Sequence, residues 1–250
     1  MNWWLNFYFG EGRGIPKDAP EPVGWRRLWA TVAREWWGLI QLNLLFIGTA
    51  LPLVTLPAAF AAMTAVLATM DADEPCEVWR DYWRGFARSW ATATALGLGF
   101  GVLIAAGIFV VSFYAAAAAA QPLLYALPLT VAAVCTVFIA VTGCVALFLA
   151  ATHVVPVGVL LRSAALTVVI RFWPLSLAML ANALIWIAHV VGYPATILLA
   201  VLCNFSFGAL LLVFACRKAA DDCIEYTMNR AGLAAYRQPS GTNKRPENPA

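Results

Sequence analysis

Charge is scarce in this chain. Of its 250 residues only 12% are Asp, Glu, Lys or Arg, while 62% are apolar. An ordinary soluble domain carries roughly 25% charge. A soluble fold of this length would have too little charge to cover its surface, so much of that surface is expected to face lipid. The net charge of +3 is small, and Lys/Arg clusters are few, with none interleaved with aromatics on a polar surface, which argues against nucleic acid as a partner. Histidine is almost missing. His153 and His189 stand isolated, so no metal site is expected. The six cysteines, Cys76, Cys135, Cys144, Cys203, Cys216 and Cys223, include no CxxC pair. Four lie in long apolar runs, where a free Cys packs as a small hydrophobe. A disulfide framework does not suit a chain that is neither small nor loop-rich. Catalytic signatures are missing too: there is no GxSxG and no HExxH, and no paired carboxylate is expected in or beside a membrane cavity. A non-enzymatic protein without a cofactor is expected. Met1–Phe9 has no basic stretch and no small-residue cleavage site, so it does not read as a signal peptide. Its Trp3, Trp4, Phe7, Tyr8 and Phe9 read either as an interfacial anchor or as packing against the protein's own helices.

The charges that are present fall into four segments: Met1–Glu35, Asp71–Trp90, His153–Arg171 and Arg217–Ala250. Between them lie three charge-free stretches, Trp36–Met70, Ala91–Leu161 and Phe172–Cys216. About 20 apolar residues cross a bilayer core, so each stretch is too long for one crossing. Each also has a breaker near its middle: Pro52 and Pro57, Gln121-Pro122, and Gly192-Tyr193-Pro194. Each therefore reads as a helical hairpin. The expected fold is an all-α, polytopic transmembrane bundle of about six membrane helices, near 38–56, 57–70, 91–114, 123–152, 172–190 and 194–216. A cytoplasmic segment 1–35 precedes it, and a cytoplasmic tail 217–250, disordered from about 234, follows it. The turns inside the hairpins carry no Lys or Arg. The positive-inside rule then puts all four charged segments, and both termini, in the cytoplasm. The second helix is short, about 21 Å over Pro57–Met70. Either Leu51–Leu56 is buried irregular backbone before it, or the element is re-entrant. Irregular backbone at membrane depth requires protein cover.

The Asp71–Trp90 segment has the clearest pattern. Arg80, Arg84 and Arg88 recur every fourth residue, and Trp79, Trp83, Phe86 and Trp90 follow a helical stripe. A basic face beside an aromatic face describes an amphipathic helix in the headgroup region. It reads as an interfacial connector, with docking of a cytoplasmic partner as the functional alternative. A second such element is expected over about Val157–Ile170. Gly10–Gly24 has turn chemistry but lacks the GK[ST] ending of a phosphate loop.

No ionisable Asp, Glu, Lys or Arg lies inside a predicted helix, which counts against an ion-coupled carrier. The neutral candidates are Asn182 and Asn204, which lie about 15 and 18 Å from the cytoplasmic end by helical rise. They are expected to face the interior and to hydrogen-bond each other, Ser176 or Ser206. Gln41 and Asn43 are expected near the interface, satisfied by hydration, and His189 is expected to reach water beside Tyr193. Gly97, Gly101 and Ala105 form a small-xxx-small stripe that would let another helix approach, in the monomer or in a dimer.

FGEGRGIPKDAP, LNLLFIGTALPLVTLPAAFAAMTAVL and DYWRGFARSW resemble the YesL-like family of bacterial membrane proteins, a domain of unknown function. LLRSAALTVVIRFWPLSLAML fits the same pattern, and the resemblance covers about residues 7–226. It carries over no catalytic or binding residues. It implies a role near carbohydrate uptake, by association rather than mechanism. Two functions follow as expectations. One is an accessory or regulatory subunit in the bacterial cell membrane, in contact with lipid and with a carbohydrate ABC transporter or a sensor. The other is an independent facilitator of a neutral solute, which needs a polar cavity at the midplane. Neither reading specifies the oligomeric state.

Overall fold

The computed structural model describes residues 24–193, 196 and 200–232. The aromatic N-terminus, almost all of Gly10–Gly24, and the tail from 234 lie outside them. The described residues form seven α-helices and no strand: α1 (Trp25–Ala50), α2 (Leu56–Asp71), α3 (Val78–Ala120), α4 (Pro122–Thr152), α5 (Val157–Ile170), α6 (Phe172–Val191) and α7 (Phe205–Arg230). A π-helical turn, Ala200–Asn204, leads into α7, and a 3₁₀ turn, Leu53–Thr55, leads into α2. Five helical segments are long and apolar enough to cross a membrane: Leu53–Asp71, Val78–Ala120, Pro122–Thr152, Phe172–Val191 and Val201–Arg230. This is an all-α, multi-pass membrane architecture.

Helix α1 is the expected crossing missing from those five. It begins at Gly24, whose φ of 60° favours glycine, and runs through the charged half of the chain's first segment. Its helical geometry breaks at Glu35 (φ −103°, ψ 16°), where the charged half meets Trp36–Ala50. Gln41 and Asn43 then dilute the short apolar half. Arg34 braces the kink: it bonds Glu35 at 3.0 Å and donates to the Met70 carbonyl at the end of α2. A cation is well placed at a helix C-terminus.

Helix α2 is short and central. It packs against α1, α3, α4 and α7, and eleven of its sixteen residues are buried. Ala58, Ala59, Ala61, Ala62 and Ala68 are all buried, and these small side chains let four helices close around it. A Cβ added at Gly85 of α3 would lie 3.6 Å from the Ala62 Cα, and one at Gly97 would overlap the Pro57 ring. The turn before α2 is not the buried irregular backbone expected from the sequence. Leu51, Leu53, Val54 and Leu56 are all exposed. Counted from Leu53, this span has 19 residues, close to the length of one crossing, so the turn can sit near the membrane surface rather than within the core.

Helix α3 differs most from expectation. The amphipathic element and the third crossing form one uninterrupted helix of 43 residues, with no proline between them to break the ladder. The α5 element occupies Val157–Ile170, the bounds expected for the second element. Helices α3 and α4 pair along their length as an antiparallel hairpin, with Gly107 against Thr136 and Gly143 against Phe100. The last buried residue of α3 is Leu96, and the first of α4 is Val141. Past Gly97, which still meets Pro57, and before Val141 the hairpin is an arm that stands clear of the described bundle.

Candidate functional site

Polar chemistry gathers at two levels of the bundle. The first lies within the apolar region, where α1, α6 and α7 meet. Asn43 is fully buried. Its Oδ1 accepts from the Ser206 backbone N–H at 2.9 Å, and its Nδ2 donates to the Val201 carbonyl. Ser206 and Val201 are the two groups that an i→i−5 bond of the π turn would join. The Asn43 amide bridges them with two side-chain bonds. The expectation of hydration near the interface is thus corrected: the π turn of α7 stands opposite Asn43 and supplies both partners. A signal was present in the sequence. Asn43 shares the helical face of Leu39, Leu42 and Phe46, all buried, and a polar residue on an apolar face needs a partner there.

Asn182 and Asn204 line the same cavity of about 140 Å³, with Phe46, Met63, Cys144, Trp186 and Gly208. A Cβ on Gly208 would crowd the Asn182 Oδ1, so glycine makes room for that amide. The hydrogen bond expected between the two asparagines is not formed. Asn182 Oδ1 and both amide atoms of Asn204 are buried without a protein partner. Ser206 Oγ bonds the Cys203 carbonyl at 3.1 Å instead. His189 also departs from expectation: its Nδ1 pairs with the Ile185 carbonyl at 2.7 Å, and its Nε2 is buried and unpartnered.

The second level is the charged end of the bundle. Asp71, at the C-terminus of α2, is 4% exposed. Arg217 of α7 donates its Nε to Asp71 Oδ2 at 2.7 Å. Arg27 of α1 lies 3.6 Å from the same oxygen and also donates to the Asp71 backbone carbonyl. One buried carboxylate therefore ties three helices together. Sequence reading placed Asp71 in a solvated segment, because its partners are 44 and 146 residues away. Cavities open at this end. One, of about 320 Å³, sets Glu74, Asp81 and Asp221 against Arg84, Arg88 and Arg217. Another, of about 440 Å³, includes Arg27, Arg171, Arg217 and Lys218 with Asp71 as its single acid. His153 lies nearby, 3.6 Å from Asp221. Burial, and then the Arg88 charge, push its imidazole below the ordinary value.

On α3 the buried face is Tyr82, Gly85, Ser89, Ala93 and Leu96, not the tryptophan stripe. Trp79, Trp83 and Trp90 are exposed. Trp79 and Trp83 make an edge contact with ring centroids 6.3 Å apart. Arg80 pairs with Glu77 at 2.7 Å and with Asp81 at 3.1 Å, and Arg84 lies 3.8 Å from Asp81. Arg88 donates to the Ala151 carbonyl near the end of α4. Of the small-residue stripe, Gly97 packs on Pro57, while Gly101 has no neighbour within 4 Å of an added Cβ and Ala105 is exposed. The described cysteines are all unpaired. Among the described residues no three His, Cys, Asp or Glu side chains converge as metal ligands would.

This geometry defines a class, a multi-pass helical membrane protein with polar contacts concentrated at one end and at one intramembrane turn. A family model described as a protein of unknown function, DUF624, matches residues 39–113. That stretch takes in the apolar half of α1, all of α2 and most of α3, and the chain is similar to that family there. No curated protein and no solved structure matches the chain.

Proposed function

We propose that this protein is a non-enzymatic accessory or regulatory component of a bacterial membrane assembly for carbohydrate uptake, with both termini cytoplasmic. The observation behind this reading is the bare α3–α4 arm. No residue from Leu98 to Ala120, or from Pro122 to Ala140, is buried. The 31 residues of α4 reach about 46 Å at 1.5 Å per residue, against a hydrocarbon core of about 30 Å. A self-contained bundle gains nothing from a hairpin of that length. Lipid covers apolar side chains without penalty, so the arm can wait in the bilayer, and its exposed Gly99, Gly101 and Ala105 allow the helix of another membrane protein to approach closely. The carbohydrate part of the proposal rests on the YesL-like resemblance alone.

The facilitator reading draws less support. Small-molecule sites typically have volumes of about 300–1,000 Å³, whereas the cavity holding Asn182 and Asn204 measures about 140 Å³ and is lined mainly by apolar side chains. The test is photo-crosslinking in native membranes from probes at Phe109 and Leu127, both exposed on the arm. Mild-detergent purification and mass spectrometry would follow. A transporter subunit or a sensor should be captured. Recovery of the uncrosslinked chain alone, at both positions, would overturn the proposal.

A further inference from the structure

The 440 Å³ cavity lies between α1, α6 and α7. Helices α1 and α6 flank it with little direct packing between them, and α7 forms its floor. Its two ends differ in chemistry. At the charged end, Arg171, Arg217 and Lys218 accompany the Arg27–Asp71 pair. Asp71 engages Arg217 through Nε, which holds that guanidinium in place and leaves its terminal nitrogens for another acceptor. Arg171 and Lys218 make no ion pair among the described residues. Asp222 lies beyond Arg171 in an adjoining depression. Four cations therefore face one carboxylate, and that carboxylate is already committed. The neighbouring 320 Å³ cavity, with its acids and arginines in balance, has no such surplus.

The rest of the wall is apolar, formed by Leu177, Leu211 and Phe214. Exposed Trp25, Trp29 and Trp173 stand at the same end of the helices, and indole rings favour the headgroup zone. Arg171 also ends just where α6 begins, so the positive end of that helix dipole adds to the field. A cationic rim above an apolar wall, beside an aromatic belt, matches an amphiphile whose anionic group lies at the membrane surface. Basic pockets between membrane helices recognise phosphate headgroups through these features.

We propose that this cavity binds an anionic phospholipid, with its phosphate held by Arg171, Lys218 and the free nitrogens of Arg217 and its acyl chain lying along Leu177, Leu211 and Phe214. The site is independent of the arm and of any partner bound there.

The test uses the purified, delipidated full chain in neutral detergent. Binding of phosphatidylglycerol, phosphatidylcholine and inorganic phosphate is measured by native mass spectrometry and by the shift in thermal unfolding. Phosphatidylglycerol should bind and raise the unfolding temperature, and phosphatidylcholine should do neither. The double variant R171Q/K218Q removes two cations that make no ion pair among the described residues. It should weaken phosphatidylglycerol binding about 30-fold, which is about 2 kcal/mol at 1.4 kcal/mol per tenfold. The charge-conserving R171K/K218R should retain binding, and R80Q/R84Q, at the start of α3 and outside the wall of this cavity, should leave it unchanged. Equal binding of the two lipids by the wild type would overturn the proposal, and that measurement needs no variant. Inorganic phosphate displacing the lipid at equal concentration would also overturn it, in favour of a soluble phosphate site.

Discussion

Gly97 and Gly101 lie one helical turn apart on α3, yet they belong to different regimes. A Cβ at Gly97 would overlap Pro57, while one at Gly101 would meet nothing. The boundary between bundle and arm falls between them. Below it, α2 is enclosed by four helices. Above it, no residue of α3 or α4 is buried, and their outer faces carry Leu103, Phe109, Phe113, Leu124 and Val134 exposed. The two regions are alike in composition. What separates them is whether protein or lipid is meant to lie against each side chain. In a bilayer lipid is as apolar as Leu, so hydrophobicity alone does not mark the boundary. Close approach and paired polar groups do.

The comparison predicts that substitutions in the bundle cost stability and those in the arm do not. The largest effect is expected at Asp71. D71A leaves Arg27 and Arg217 facing each other across α2 without their shared carboxylate. Breaking a buried ion pair by removing one partner costs about 3–5 kcal/mol. The lower end, about 3 kcal/mol, is expected here, because the two arginine side chains keep 24% and 19% of their exposure and are partly screened. A detergent-titrated unfolding curve for D71A that overlays the wild type would mean that this end is not tied together as described.

Asn43 comes next. N43L strands the Ser206 N–H and the Val201 carbonyl at the π turn. Membrane hydrogen bonds are worth about 0.6–2 kcal/mol each, so a loss near 2 kcal/mol is expected from the pair. Hydrogen exchange at Ser206 should rise with it, and protection unchanged at that amide would show the turn relaxing to an ordinary helix.

The glycine pair tests the boundary itself. G97A should cost about 1–3 kcal/mol by overpacking, because Pro57 is a rigid ring on a buried helix. G101A should stay within about 0.5 kcal/mol, as open-surface changes do. Equal losses at both would place a second helix against the arm even in the isolated chain.

Much of the architecture was readable from charge and proline alone. The charge-free stretches and the Gln121-Pro122 break marked the α3–α4 hairpin, and the charged segment between two apolar stretches marked α5. What escaped were features made by distant partners. Asn43 meets Val201 across 158 residues and Asp71 meets Arg217 across 146; each looked like an ordinary interfacial residue in its local context. The continuity of α3 was missed for another reason. An aromatic and basic face describes both a helix lying in the interface and the first turns of one passing through it. Only the burial of Tyr82, Gly85 and Ser89 against the bundle separates the two.

Asn204 sharpens the comparison, because it sits in the bundle but should behave as if it were in the arm. Its position in an apolar helix suggested structural glue between α6 and α7. Yet neither its oxygen nor its nitrogen has a protein partner. A buried polar group without a bond carries its desolvation penalty with no compensation, and an apolar group of similar shape removes that penalty. Leucine is close to asparagine in size, and the cavity beside it can take the difference. N204L should therefore change stability by no more than about 0.5 kcal/mol, on the same helix where losing the Asn43 bonds costs several times more. If N204L instead lost as much as N43L, the amide would have to be engaged by ordered water bridging to Asn182, as a polar cavity can hold. The double variant N182L/N204L would then lose no more than either single variant. Additive losses would leave the two asparagines acting separately and would remove the case for treating that cavity as one site.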